Sequence, residues 1–382
     1  MKVMILVPGL PLNIDDIKGG VHSAVINLLT GFQKKDIIVR LVSLNDDIKE
    51  NTNLQFSKNI DIVYLNEGNY PFHSLNYFIN GHSLIKKEIK KFNPDIIHFE
   101  EGNSFLLTKF FGLHKKPYLL TMHGMAFAES RAQKQISDKI NLYFNGIIQS
   151  GFHPANIIHL SEYSLNLHPF SKKSQCCIIS NAVNLSFFNV PPKKLMDNSL
   201  LYIGVINERK NLMLLLEALK NLLLQNIQYS LTVIGGFADD LYKQKVLNYI
   251  KENNLDNRVH LKGWVPQSVV KNYIAASDIL VLPSKQETLP MVIAECMGAA
   301  KVVVASDVGG IGEMIDNGVT GYLFNNKNTL QLENILTNLY CNSDKLQKVS
   351  MKAREVAIIK YHCENIADKT ISFYNEILNK RI

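Results

Sequence analysis

Short apolar runs of β type alternate with stretches of helical period along nearly the whole chain. A first series holds VMILV (3–7), IIVRLVSL (37–44), DIIHF (95–99), PYLLTMH (117–123) and CCIIS (176–180). A second holds LLYIGV (200–205), SLTVIGG (230–236), RVHLKGW (258–264), DILVLP (278–283) and KVVVAS (301–306). This alternation predicts an α/β protein with parallel sheets. LMLLLEALKNLLL (212–224) is broken by Glu217, Lys220 and Asn221 in the pattern of a buried amphipathic helix, and ENIADKTISFYNEIL (364–378) reads as a terminal helix.

Between the series, NVPPKKLMDNS (189–199) interrupts the pattern with paired prolines, charge and small polar residues, as a linker would. The expected organisation is therefore a Rossmann-like domain over 1–190, a second over 191–362, and a helix over 363–382 that packs back on the first. Open parallel sheets bind ligands at the carboxyl ends of their strands, so two such sheets are expected to face each other across a ligand crevice.

At 382 residues, 46% apolar and 20% charged, the chain has ordinary globular composition and the length of two domains. The five cysteines form no C-x-x-C pair and are read as reduced thiols of a cytoplasmic protein. No secretory leader and no apolar run of membrane-spanning length stands out. A net charge of +7 suits an anionic partner without choosing one. The basic residues are not interleaved with stacking aromatics, which argues against nucleic acid, and no G-x-G-x-x-G follows a first strand, which argues against a dinucleotide oxidoreductase.

The most informative segment is SKQETLPMVIAE (284–295), directly after the strand DILVLP. Pro290 suits the first turn of a helix and Thr288 its cap, so the segment reads as strand, loop and helix. The start of such a helix offers unpaired N–H groups and partial positive charge to an anion. Glu287 in the loop and Glu295 on the helix can then address two parts of one ligand. Taken singly, two glutamates at this spacing are surface charges more often than a site.

This arrangement closely resembles the E-x7-E signature of the retaining glycosyltransferases of family 4, also called glycosyl transferases group 1, which have the GT-B fold. The likeness extends to GGVHSAVINLL (19–29), TMHG (121–124), SNAVN (180–184), YIGVINERKN (202–211), VIGG (233–236), VHLKGWVP (259–266) and DVGGIGEMIDNGVTGYLF (307–324), in the family's order. The resemblance implies that Glu295 binds the ribose hydroxyls of a nucleotide-diphosphate sugar and that Glu287 lies by the transferred sugar. Leu289, Pro290, Met291 and Val292 would form the helix start whose N–H groups meet the diphosphate. Lys210 matches a phosphate-binding lysine with Arg209 beside it, and Trp264 and Val265 stand where the family contacts the base.

In the first half, the resemblance implies a catalytic-site role for His123 near the transferred sugar, though not as the base. It also implies that the Gly19-Gly20 loop meets donor and acceptor. His98 resembles another common family position and is read as structural. The sequence departs from the pattern where Val205 follows Gly204 in place of the family's arginine, which leaves one phosphate contact open; Glu287-Thr288-Leu289-Pro290 in place of E-G-F-G and Asn181-Ala182-Val183-Asn184 in place of N-G-V-D would tune substrate choice.

The implied reaction is retaining transfer of a sugar to a hydroxyl of a glycan or lipid-linked acceptor. No D-x-D and no zinc-type spacing occurs, so metal-independent activity without a cofactor is expected. Two other readings stay open: a nucleotide-sugar epimerase of the same fold and a non-catalytic, transferase-like partner subunit. Lys86, Lys87, Lys90 and Lys91 share a helix with Leu84, Ile85, Ile89 and Phe92. For a lipid-linked acceptor this basic face, joined by Arg131, Lys134 and Lys139, would rest on anionic headgroups at the inner face of the membrane.

Overall fold

The computed structural model describes every residue except 15, 16, 18, 69–79, 101–115, 125–153, 168–173, 194, 196, 341, 381 and 382. Arg131, Lys134 and Lys139 lie outside the described residues. Those that are described form two compact units, the first of 1–124, 154–182 and 363–380, the second of 183–362.

The first unit is built on an eight-stranded sheet: β1 Lys2–Leu6, β2 Ile38–Asn45, β3 Thr52–Ser57, β4 Ile60–Asn66, β5 Ile96–Phe99, β6 Tyr118–Met122, β7 Asn156–His159 and β8 Gln175–Ile178. Their order is β3-β4-β2-β1-β5-β6-β7-β8. All neighbours pair in parallel except β3, which returns antiparallel along β4 at the sheet edge. The interior strands are apolar on both faces because helices cover both, as in parallel sheets generally. β3 is polar and largely exposed, and for that reason it carries no apolar signature in the sequence.

The second unit holds β9 Ser199–Ile203, β10 Ser230–Ile234, β11 Val259–Leu261, β12 Ile279–Leu282, β13 Val302–Ser306 and β14 Tyr322–Phe324. They run parallel in the order β11-β10-β9-β12-β13-β14. In each unit the first strand lies between strands that lead off in opposite directions, β1 between β2 and β5 and β9 between β10 and β12. These are the switch points where the following loops diverge and leave room for a ligand.

The helix Leu212–Leu224 buries Leu212, Leu215, Leu216, Leu219 and Leu222 and turns Glu217 outward, as its sequence pattern requires. Asn221 on its flank donates to Glu333 at 2.7 Å.

The changeover between units lies at Ala182/Val183 rather than within the proline-containing segment. Val183, Phe187, Phe188 and Val190 are buried in a core of the second unit, and Arg354 donates to the carbonyls of Phe188 and Val190. The proline segment is itself fastened to that unit: Leu195 is buried, and the backbone N–H of Asp197 donates to Asp278 at 2.7 Å. Apolar anchors on both sides of the prolines outweigh their effect on local chain direction.

The terminal helix Cys363–Asn379 packs on Gly20–Phe32 of the first unit. Gly31 makes this contact close, since a Cβ there would fall 2.3 Å from the carbonyl oxygen of Cys363. Gly31→Ala gains helix propensity but must push two backbones apart. A net loss of roughly 1–3 kcal/mol is expected, to be read from the urea midpoint; an unchanged or higher midpoint would contradict the packing described.

Candidate active site

In the second unit, β9 and β12 deliver their loops to one place. β12 runs into Ser284-Lys285-Gln286-Glu287, and Glu287 is withdrawn from water with 6% exposure. Its Oε1 accepts from Lys210 Nζ at 2.5 Å and from Ser284 Oγ at 2.7 Å, while Oε2 lies 3.6 Å from Arg209. Both cations follow β9, in the turn before the helix Leu212–Leu224. Arg209 is locked by both ends: its guanidinium donates to the carbonyl of Gln286 at 3.0 Å, and its own carbonyl accepts from Lys285 N at 2.8 Å. Two cations on one buried carboxylate leave a surplus of positive charge, which is the electrostatic requirement of an anion site.

The loop's path depends on glycine at Gly309, where φ is +58° and a Cβ would lie 1.7 Å from the carbonyl oxygen of Glu287. Next to it, Gly310 N donates to that same oxygen at 3.3 Å. The backbone of Glu287 is thus clamped from β13's loop while its side chain is clamped from β9's.

Pro290 is the cap of the helix Met291–Gly298, one place earlier than expected, and Thr288 makes no capping bond. A proline serves at either place because its missing N–H is not needed there. Met291 and Val292 supply the first helical N–H groups, which precede the intrahelical ladder and point their donors out of the helix start. The side-chain polar atoms of Gln286 and the hydroxyl of Thr288 are buried without a hydrogen-bond partner among the described residues. Such atoms flanking Glu287 mark a place suited to a ligand rich in hydrogen-bonding groups.

Glu295, one face along this helix, is 5% exposed, and its Oε1 accepts from Gln267 Nε2 at 2.9 Å. Burial pushes its carboxyl up to about 7, and the Gln267 bond offsets only part of that. Gln267 opens the helix Gln267–Ala276 just past Trp264, Val265 and the capping Pro266, so it ties that loop to Glu295. Trp264 is 45% exposed and Val265 packs against the unit's core. The expected residues Arg209, Lys210, Glu287, Leu289, Pro290, Met291 and Val292 thus gather on the β9 and β12 loops, with Glu295, Trp264 and Val265 grouped through Gln267.

In the first unit, His123 directly follows β6, and its Nε2 lies 2.7 Å from Glu100 Oε2, just beyond β5. Glu100 is almost completely buried and also lies 3.3 Å from His98 Nε2. Burial alone would raise the Glu100 carboxyl, but His98 and hydrogen bonds from His123 and Thr121 hold it below the usual carboxylate range. Burial pushes the His98 imidazole down, against the pull of Glu100. Gly19 caps the helix Gly20–Phe32 with extended backbone, and among the described residues a Cβ on Gly19 or Gly20 would meet no atom within 4 Å. The backbone at this helix start is open to approach, also without a side chain in the way.

Glu100, Thr121, Ser284 and Gln267 were not singled out from the sequence. For two of them a signal existed: His98 and Glu100, like Thr121 and His123, are two residues apart on adjacent strands, and β5 pairs with β6 in the register His98↔Leu119. Period-two alternation puts each pair on one face of the sheet.

Comparison with known proteins agrees with this architecture. The profile described as Glycosyl transferases group 1 matches residues 185–356, and that of Glycosyltransferase Family 4 matches residues 18–187. An uncharacterized glycosyltransferase of Methanocaldococcus jannaschii is 28% identical over 339 residues, 86% of this chain and 87% of that protein. Sucrose-phosphate synthase from Thermosynechococcus elongatus superposes with a TM-score of 0.81 at 19% identity, covering 99% of both chains. Anabaena HepE in complex with UDP and glucose does so with a TM-score of 0.76 at 17% identity, covering 98% of this chain and 99% of that one. The two parallel-sheet α/β domains have the GT-B fold, and the two profiles with the relative in Methanocaldococcus jannaschii make the chain a glycosyltransferase. The chain belongs to the glycosyl transferases group 1, with a family 4 domain in its first half.

The buried Glu295 carboxylate has a measurable cost. Its folded value near 7 exceeds the ordinary 4.5, so the native state holds the proton more tightly than the unfolded chain and loses stability as pH rises from about 4.5 to 7. Above pH 7 the penalty is on the order of 3 kcal/mol. Glu295→Gln removes it, so the variant is expected to be more stable than the parent at pH 8, with the difference shrinking toward pH 5. Urea unfolding at both pH values reads this; equal differences at both would refute it.

Proposed function

We propose that this glycosyltransferase transfers a sugar with retention of anomeric configuration from a nucleotide-diphosphate sugar to a hydroxyl of a glycan or lipid-linked acceptor. The observation that carries the reading is the Glu287 constellation: a buried carboxylate shared by Lys210 and Arg209, in the loop that leads into the helix start at Met291 and Val292. The second unit is the donor domain in this reading and the first the acceptor domain.

The diphosphate of the donor is received by Lys210, Arg209 and the helix start, and the ribose hydroxyls by the ionised Glu295. Trp264 and Val265 border the base, and the sugar is met by Glu287, with Leu289 and Pro290 shaping the turn that carries it. As the anomeric C–O bond breaks, its electron pair passes to the diphosphate, where cations and N–H groups already in place stabilise the added charge. The acceptor hydroxyl attacks from the same side and its proton goes to the departing phosphate oxygen. His123, held by Glu100, stands by the transferred sugar, and the Gly19-Gly20 turn admits donor phosphate and acceptor. Charge compensation by the protein's own cations supports turnover without a metal.

Thermal stabilisation by a panel of nucleotides and nucleotide sugars, UDP first, tests the donor site. At about 100 times its dissociation constant a ligand adds about 2.7 kcal/mol. The expected shift is lost in Glu295→Ala and unaffected by EDTA; stabilisation that survives in Glu295→Ala would remove this site. Affinity is also expected to weaken as pH falls below about 7, where Glu295 takes up its proton.

Once an acceptor turns over, Lys210→Ala is expected to lower kcat by about 10²–10³-fold, and proton NMR of the product is expected to show the donor's anomeric configuration. An inverted product would refute the retaining mechanism.

For a lipid-linked acceptor, the exposed Lys86, Lys87, Lys90 and Lys91 of the helix His82–Phe92 form the face that meets anionic headgroups, with Ile85 and Phe92 buried on the other side. Among the described residues no helix is long and apolar enough to cross a membrane. Flotation with anionic but not neutral vesicles, weakened by salt, is the expected result; equal flotation with both would remove the role of the lysines.

A further inference from the structure

A buried polar chain in the first unit begins on the terminal helix and ends on His123. Tyr374, in the middle of Cys363–Asn379, is fully buried, and its hydroxyl lies 2.7 Å from His98 Nδ1. On the far side of that ring, His98 Nε2 lies 2.6 Å from Thr121 Oγ1 and 3.3 Å from Glu100 Oε1. The other oxygen of Glu100 is 2.7 Å from His123 Nε2.

Donors and acceptors in this chain balance in one way. A neutral imidazole has one N–H and one lone pair. If His98 carried its proton on Nδ1, its Nε2 lone pair would face the Glu100 carboxylate, and the Tyr374 hydroxyl proton would lack an acceptor in the chain. With the proton on Nε2, Tyr374 donates to Nδ1, and Nε2–H donates toward Thr121 and Glu100. The Thr121 hydroxyl donates in turn to Glu100. The carboxylate is then supplied from one side by the Tyr374 chain and from the other by His123 Nε2–H.

A cavity of about 20 Å³, room for about one water, is bordered by His98, Glu100, Thr121, His123 and Thr370. Among the described residues, the hydrogen bond to Glu100 is the polar contact that orients the His123 ring.

We infer that Tyr374 is a positioning residue for His123: through His98 and Glu100 it keeps the His123 proton on Nε2 and leaves Nδ1 as a hydrogen-bond acceptor for a substrate hydroxyl. The inference concerns the same site as the proposed function and rests on that reading for the role of His123, but the tautomer itself can be observed without substrate. The terminal helix thereby contributes to the site through a side chain as well as through its packing on Gly20–Phe32. Tyr374 touches none of the reacting atoms in this assignment.

The test is nitrogen-15 NMR of the imidazoles in ¹⁵N-histidine-labelled full-length protein, with the signals among its eleven histidines assigned by His123→Gln and His98→Gln. In the parent, His123 is expected as the Nε2–H tautomer. Tyr374→Phe removes one oxygen and leaves the ring, so the fold should survive, as circular dichroism will show; the His98 tautomer is expected to change and the His123 signal to broaden or move toward a mixture. His98→Gln keeps a carbonyl toward Tyr374 and N–H toward Glu100, and is expected to retain the His123 tautomer.

A His123 proton on Nδ1 in the parent, or a His123 signal unmoved by Tyr374→Phe, overturns the inference whatever the activity. With an active assay, Tyr374→Phe is expected to lower kcat by about tenfold or more while donor KM stays within about twofold, the signature of an interaction needed in the transition state. A shifted tautomer with kcat unchanged would confirm the coupling to His123 and overturn instead the assignment of His123 to the reaction.

Discussion

A carboxylate withdrawn from water has to be met by donors, and each unit of this protein is organised around that requirement. Glu287 in the second unit is met by Lys210, Ser284 and Arg209, which fixes the β9 loop against the β12 loop. Glu100 in the first is met by His98, Thr121 and His123, which fixes the end of β5 against the end of β6. Breaking one partner away would leave a buried charge uncompensated, a penalty of several kcal/mol, so these loops are held more firmly than their hydrogen bonds alone would suggest. The ends of parallel strands are where such groups collect, because the sheet interior has no room for them and the divergent loops at a switch point do.

Glu295 follows a different rule. Among the described residues its one side-chain donor is Gln267, and its carboxyl is raised to about 7. In the proposed reading the missing donors are ribose hydroxyls, so part of the nucleotide's binding energy removes a strain that the empty protein carries. Among the described residues Glu287 is met by three side chains and Glu295 by one; in the proposed reading the first shapes the site and the second receives the ligand. Stability given up at one residue in this way is common where function needs an unsatisfied group.

Much of this was legible beforehand. The ten apolar runs named from the sequence are all strands, since parallel strands covered on both faces need continuous hydrophobicity, while β4, β7 and β14 were not among them. The segment SKQETLPMVIAE read as strand, loop and helix because proline and the apolar helix face are local signals. β3 was not legible: its residues are polar and exposed and are paired only because β4 turns back beside them. The proline segment misled, because local chain stiffness competes with burial of Phe187, Phe188 and Leu195, which only the folded core reveals.

The sequence by itself determined the two series of strands, the order of the motif blocks and the presence of Glu287, Glu295, Lys210 and His123, since each depends on residue type and short spacing. Which groups meet was decided by tertiary structure. Lys210 and Glu287 are 77 residues apart in sequence, and His98 and Tyr374 are 276 apart, yet each pair is in hydrogen-bond contact. The physical reason is that hydrogen bonds and ion pairs act over a few ångströms, and distance along the chain becomes distance in space only after strand order, register and helix packing are settled.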